Sequence, residues 1–202
     1  MLDHQIIKRD DLLLSLNKSH EVIKDISFNI AVQKAILDAI RAVISCFSEG
    51  GKLIFAGNGG SAADAQHMSA EYVSRFMFDR PGLPSIAITT DTSALTAIGN
   101  DYSFDNLFSR QIQAIGNKGD VFFAYTTSGT SPNILKSLVE AKEKGIFTIG
   151  MTGAKPESVI LDDLCDIVIR IPSVETPYIQ EGHLVVGHLI CLHVERLIFG
   201  EA

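Results

Sequence analysis

The chain is short of cysteine, of clustered positive charge and of long apolar runs, and each shortage narrows what it can be. Its three cysteines, Cys46, Cys165 and Cys191, form no CxxC pair. An odd count fits a reducing compartment, and each lies in an apolar pattern, so all three are expected to be buried thiols. Lysine and arginine number 17 against 24 aspartates and glutamates, a formal net charge of -7 with no basic run. An acidic chain of this kind is not expected to hold nucleic acid, although a local site can still bind a small anion. No apolar stretch reaches the ~18–20 residues that span a bilayer. The N-terminus lacks a basic region followed by an apolar one, so no signal peptide is read there. A cytoplasmic location with no membrane partner is expected.

What is present is ordinary globular material. The 202 residues are 46% hydrophobic, with glycine and proline dispersed, enough for one domain with a full core and a helical extension. Residues 1–50 read as helical, with Leu12, Leu13, Leu14 and Leu16 opening one apolar stripe. Ile30, Val32, Ala35, Ile36, Ile40, Val43, Ile44 and Phe47 continue another at helical spacing. Asp25-Ile26-Ser27 is expected to separate the two. So much helix before the first strand suggests an oligomerisation segment, leaving residues 51–202 as the main domain. Five apolar runs follow: Leu53–Ala56, Ser85–Thr90, Val121–Thr127, Phe147–Thr152 and Ile167–Ile171. Helical patterns at 62–78, 93–115, 132–144, 156–163 and 177–198 alternate with them. That alternation predicts a doubly wound α/β fold with a five-stranded parallel sheet, whose ligands sit at the carboxyl ends of the strands.

Two of the loops at that edge suit a phosphorylated ligand. Gly57-Asn58-Gly59-Gly60-Ser61 joins the first strand to a helix, where backbone can approach an anion closely. It is neither a Walker A loop, since no Gly-Lys-Ser/Thr follows, nor a good dinucleotide fingerprint, since the second strand supplies no acidic residue at the usual distance. After the third strand comes Thr126-Thr127-Ser128-Gly129-Thr130-Ser131-Pro132-Asn133. One hydroxyl would cap the next helix, and five exceed that need.

Polar residues on two otherwise unremarkable helices could do chemistry. His67 and Glu71 are four apart and share a face. The last helical segment carries Gln180, Glu181, His183, His188 and His193. A His and a carboxylate from one helix, with Gln and His from another, suit a divalent ion such as zinc or an acid/base pair. Gln180 and His188 are separated by ~12 Å of helical rise, so spacing makes His183 a competitor, while His193 is expected to be a bystander near the chain end.

Four stretches together, GNGGSAADAQHMSAEYVSRF at 57–76, AIGNDYSFDNLFSRQ at 97–111, TTSGTSPNILKSL at 126–138 and TPYIQEGHLVVGHL at 176–189, resemble the phosphoheptose isomerases of the sugar-isomerase (SIS) domain superfamily over nearly the whole chain. The resemblance implies a flavodoxin-like SIS fold and isomerisation of sedoheptulose 7-phosphate to D-glycero-D-manno-heptose 7-phosphate, a precursor of lipopolysaccharide core or other surface heptose. It implies zinc on His67, Glu71, Gln180 and His188, favouring His188 over His183, with Glu71 and His188 as the acid/base pair. Substrate positions would be Asn58, Gly59, Gly60, Ser61, Glu71, Asn100, Asp101, Thr126, Thr127, Ser128, Ser131 and Gln180. It also implies a homotetramer with active sites between subunits. Tyr178 departs from the arginine common there, and Thr126 from the serine. The alternative is a non-catalytic SIS protein that binds a replication initiator or a sugar phosphate.

Overall fold

Strands form where the apolar runs were read, and the helices between them cover both faces. The computed structural model describes residues 8–200; the first seven residues of the expected helical segment, and with them the reading of the N-terminus, lie outside the described residues. Helices α1 (Arg9–Phe28) and α2 (Ile30–Ser48) precede β1 (Leu53–Gly57), α3 (Gly60–Val73) and β2 (Ser85–Ala87). There follow α4 (Thr92–Asp101), a 3-10 turn at Phe104–Asn106, α5 (Ser109–Ile115), β3 (Val121–Tyr125), α6 (Pro132–Glu143) and β4 (Phe147–Gly153). A second 3-10 turn, Pro156–Ile160, leads into α7 (Leu161–Leu164), β5 (Ile167–Ile171) and α8 (Thr176–Phe199).

All pairings are parallel, in the order β2-β1-β3-β4-β5. The chain winds outward one way from β1 to β2 and the other way from β3, so the switch point lies between β1 and β3, whose ends Gly57 and Tyr125 are in register. Ligand crevices of doubly wound sheets open at that point, and both loops singled out above leave from it. One face of the sheet packs on α2, α3 and α8, around Phe55, Met68, Tyr125 and Val186. The other packs on α5, α6 and α7, around Phe122, Ile134, Leu138 and Leu161.

Several element boundaries differ from the periodicity. The break between α1 and α2 falls at Asn29 rather than Asp25–Ser27, because the Asn29 side chain accepts from the N–H groups of Ala31 and Val32 and so caps α2. The single helix expected over 93–115 is two. After the weak helix formers Gly99, Asn100 and Asp101, Tyr102 leaves helical geometry and Ser103 is extended. Arg110 then folds back over the Tyr102 ring at 4.5 Å. β2 is shorter than Ser85–Thr90, since the chain turns at Ile88 and Thr89 and the Thr90 hydroxyl donates to the Ala87 carbonyl.

α2 is a core layer, burying Val32, Ile36, Ala39, Ile40 and Val43. α1 buries only Val22 and Ile26 and leaves Leu12, Leu13, Leu14, Leu16, Ile23 and Phe28 exposed. α8 is long and apolar enough by composition to cross a membrane, yet it buries Ile179, Val186, Ile190 and Val194 within the domain. The three cysteines are free and buried. Burial pushes their thiols up to about 11 for Cys46 and about 12 for Cys165 and Cys191, so thiolate chemistry is suppressed.

Candidate active site

α3 and α8 lie side by side and bring together residues 121 apart in sequence. One helical turn separates His67 from Glu71, and His67 Nε2 stands 3.0 Å from Glu71 Oε1. His188 Nε2 is 3.5 Å from His67 Nε2, with the two imidazoles edge to face at 5.1 Å between centroids. Each of the three offers one ligand atom, all within 4.8 Å of one another. Ligand atoms around a tetrahedral zinc lie ~3.4 Å apart, so two nitrogens and a carboxylate oxygen at this spacing fit a divalent ion. Burial, and secondarily His67 beside it, holds the His188 imidazole below its ordinary range, while Glu71 pulls the other way. His188 is therefore a neutral imidazole at neutral pH, the form that ligates metal and relays protons.

Gln180, one turn into α8, reaches the first loop. A Cβ on Gly60 would lie 2.4 Å from the Gln180 amide nitrogen, so only glycine lets Gln180 come this close. Gln180 and His188 thus meet α3 at different points, Gly60 and His67. Ser61 is buried, and its N–H is already bonded to the Asn58 carbonyl, as that of Ala62 is to Gly59. The first loop consequently offers fewer free donors than its glycines suggest.

The hydroxyl loop is the better anion site. Ser131 is the N-cap residue of α6 but makes no capping bond with its side chain. Its hydroxyl instead lies 3.1 Å from Thr126 Oγ1, which is 3.5 Å from Ser128 Oγ. Three hydroxyls thus converge at a helix N-terminus without serving the helix. Asn58 and Asn133 exchange two amide hydrogen bonds, of 2.9 and 2.8 Å, and lock the two loops together. Asn133 was missed as a site residue; its signal was an asparagine in each of two adjacent switch-point loops.

A model of the SIS domain matches residues 16–153. The phosphoheptose isomerase 2 of Campylobacter jejuni is 51% identical over 187 residues, 93% of this chain and 90% of its own. The chain belongs to the phosphoheptose isomerase family. The phosphoheptose isomerase of Burkholderia pseudomallei is 59% identical over 160 residues, 79% of this chain and 80% of that one. The solved phosphoheptose isomerase of Neisseria gonorrhoeae shares the fold at TM-score 0.85 and 35% identity, covering 93% of this chain and 98% of its own.

Within this phosphoheptose isomerase fold the two histidines of α8 face different ways. His183, which spacing favoured, is fully buried with its ring 5.4 Å from that of Tyr125, edge to face. It does not join His67 and Glu71; α8 turns it toward the sheet. His193 is exposed and apart, as expected. Asn100 and Asp101 bond each other at 2.8 Å on the exposed end of α4 and meet none of the other site residues within the chain. At Tyr178, Lys18 of α1 stands 5.7 Å over the ring while pairing with Glu175 at 3.0 Å, so a cation remains near this position.

Burial lowers the His183 imidazole to about 4 from its ordinary 6.5. Between those values the unfolded chain carries the extra proton. The stability given by the neutral ring is fully present above pH 6.5 and is lost as pH falls toward 4, by about 3 kcal/mol. Nearby Asp64, raised by burial to about 6, works with the opposite sign and gains stability as pH falls. His183→Phe is expected to flatten the acid limb of the urea-unfolding midpoint between pH 6.5 and 4. Parallel profiles for parent and variant would refute the assignment.

Proposed function

We propose that the chain catalyses the aldose–ketose isomerisation of sedoheptulose 7-phosphate to D-glycero-D-manno-heptose 7-phosphate, supplying a precursor of surface heptose. The observation that carries this reading is the meeting of His67, Glu71 and His188 between α3 and α8, in a chain whose switch-point loop also brings three hydroxyls together. A carboxylate, a neutral imidazole and a phosphate cradle are the parts a phosphosugar isomerase needs.

In the forward direction Glu71 removes a proton from C1 of the ketose, leaving the C1–C2 enediolate, and His188 passes the O1 proton to O2. Glu71 then returns its proton to C2, which leaves a carbonyl at C1 and a hydroxyl at C2. No atom is gained or lost. A divalent ion, zinc by its donor set, would be held by His67, Glu71 and His188 and when bound would supply Lewis-acid stabilisation of the enediolate; Gln180, the fourth ligand the resemblance implies, meets α3 at Gly60 instead. Thr126, Thr127, Ser128 and Ser131 hold the phosphate, whose remote binding energy keeps the sugar in register. Asn58, Gly59, Gly60, Ser61 and Gln180 hold the reacting end.

Asn100 and Asp101 stand apart within the chain, and we assign them to a neighbouring subunit's site in a homotetramer. The exposed leucines of α1 support an oligomerisation role for residues 1–50, with α2 shared by the core. The deciding experiment is incubation of the purified protein with sedoheptulose 7-phosphate, followed by separation of the two heptose phosphates. Conversion to the aldose is expected. No conversion in the presence of added zinc would overturn the reading.

A further inference from the structure

The turn of α3 that carries Glu71 is also its last, and little within the helix secures it. Ser74 follows Val73 at φ -87°, ψ -98°, with no glycine to close the end. Beyond the Ser74 N–H on the Ala70 carbonyl and the Leu83 N–H on that of Tyr72, this helix end is satisfied by a single side chain from outside it. Arg80 Nη2 donates to the Glu71 carbonyl at 2.7 Å. Arg80 Nη1 donates to the carbonyls of Tyr72 at 2.6 Å, Pro81 at 3.0 Å and Ser74 at 3.3 Å. A guanidinium here satisfies orphan acceptors and opposes the negative end of the helix dipole.

Arg80 is in turn held from α8. Its Nε donates to Glu195 Oε1 at 3.0 Å, and the two side chains are 2% and 1% exposed. The same carboxylate accepts from the N–H of Phe76 at 3.0 Å and of Met77 at 2.8 Å. Burial alone would push the Glu195 carboxyl up, but those two N–H groups and Arg80 outweigh it and hold it below its ordinary range. Glu195 lies two turns along α8 from His188, and the Phe76 ring packs 5.4 Å from the His188 ring. A buried ion pair of this kind is a poor source of stability, because apolar residues could fill the space as well. Its effect is geometric: it ties the backbone of the Glu71 turn to the helix that bears His188.

We propose that Arg80 and Glu195 are positioning residues of the isomerase site, fixing the end of α3 against α8 and so setting the separation of Glu71 from His188. This rests on the isomerase reading only in naming those two as the reacting groups. Neither Arg80 nor Glu195 touches the crevice; they act through the Glu71 backbone and through Phe76.

The test uses Glu195→Gln, which keeps shape but loses the charge, and Arg80→Lys, which keeps the charge but cannot reach the same carbonyls together. Both are expected to lower kcat by about 10- to 100-fold. KM for the sugar phosphate should change less than about threefold, since the hydroxyl loop is untouched. Leu161→Ala, buried on the opposite face of the sheet, serves as a destabilised control and should keep the parent kcat. Imidazole nitrogen shifts of His67 and His188 should move in both clamp variants while those of exposed His20 and His193 stay. If the parent protein fails to turn over the sugar, the isomerase reading falls, and the imidazole shifts still judge the clamp. Folded variants with kcat within about twofold of the parent and unmoved imidazole signals would overturn the proposal. Loss of fold in both variants, read by circular dichroism, would also overturn it, because the pair would then be a determinant of folding.

Discussion

Glu71→Gln is expected to lower kcat by on the order of 1,000-fold while leaving the protein folded. The amide keeps the size of the carboxylate and an oxygen for the contact with His67 Nε2, now 3.0 Å away, but it cannot accept the C1 proton. Little stability should be lost. The pair stands at the rim, with His67 42% and Glu71 22% exposed in their side chains, where such contacts contribute ~1 kcal/mol or less. His188→Ala should produce a loss of similar size by removing the group between O1 and O2, with a further small effect on packing against Phe76. The measurement is single-turnover conversion of sedoheptulose 7-phosphate, with melting temperature as the check on folding. Turnover near the parent rate in either variant would remove that residue from the mechanism.

Stripping divalent ions with a chelator, followed by dialysis, should lower kcat by roughly 100-fold, equivalent to about 3 kcal/mol of transition-state stabilisation. Added zinc should restore it. A second readout does not depend on turnover. An ion that binds only the folded chain raises stability by about 2.7 kcal/mol at a hundred times its dissociation constant, so zinc should raise the melting temperature of the parent. His67→Gln, which removes one of three clustered ligands, should abolish most of that rise. Full activity in exhaustively dialysed protein, with no thermal shift on adding zinc, would show that the three side chains work as an acid/base set alone.

Both expectations depend on residues whose proximity was only partly visible along the chain. His67 and Glu71 were readable as partners because helical geometry places positions four apart on one face whatever the rest of the protein does. The strands were readable for a similar reason. Continuous apolar runs such as Val121–Tyr125 must be buried on both sides, and alternation with helices leaves a parallel sheet as the outcome. Asn29 was less visible, because a single capping hydrogen-bond pattern moved the helix boundary by a few residues.

The partner on α8 was a different matter. His183 and His188 are five residues apart, and spacing from Gln180 favoured the one that proved to be buried against Tyr125. Family resemblance, rather than periodicity, pointed to the histidine that lies beside His67 and Glu71. The rotation of α8 about its axis is set by how Ile179, Val186, Ile190 and Val194 fill the core, which no local pattern reports.

The chain order of residue types therefore settled the local geometry: a turn that needs glycine at 59, where φ is positive, a helix face bearing His67 and Glu71, a hydroxyl-rich loop after the third strand. These follow from backbone sterics and helical period, which act within a few residues. Tertiary packing settled the pairings across distance. It chose His188, joined Asn58 to Asn133, left the Ser131 hydroxyl free of capping, and closed Arg80 onto Glu195 across 115 residues. Such contacts depend on the relative placement of whole helices, and that placement is fixed by filling a shared core rather than by any one segment.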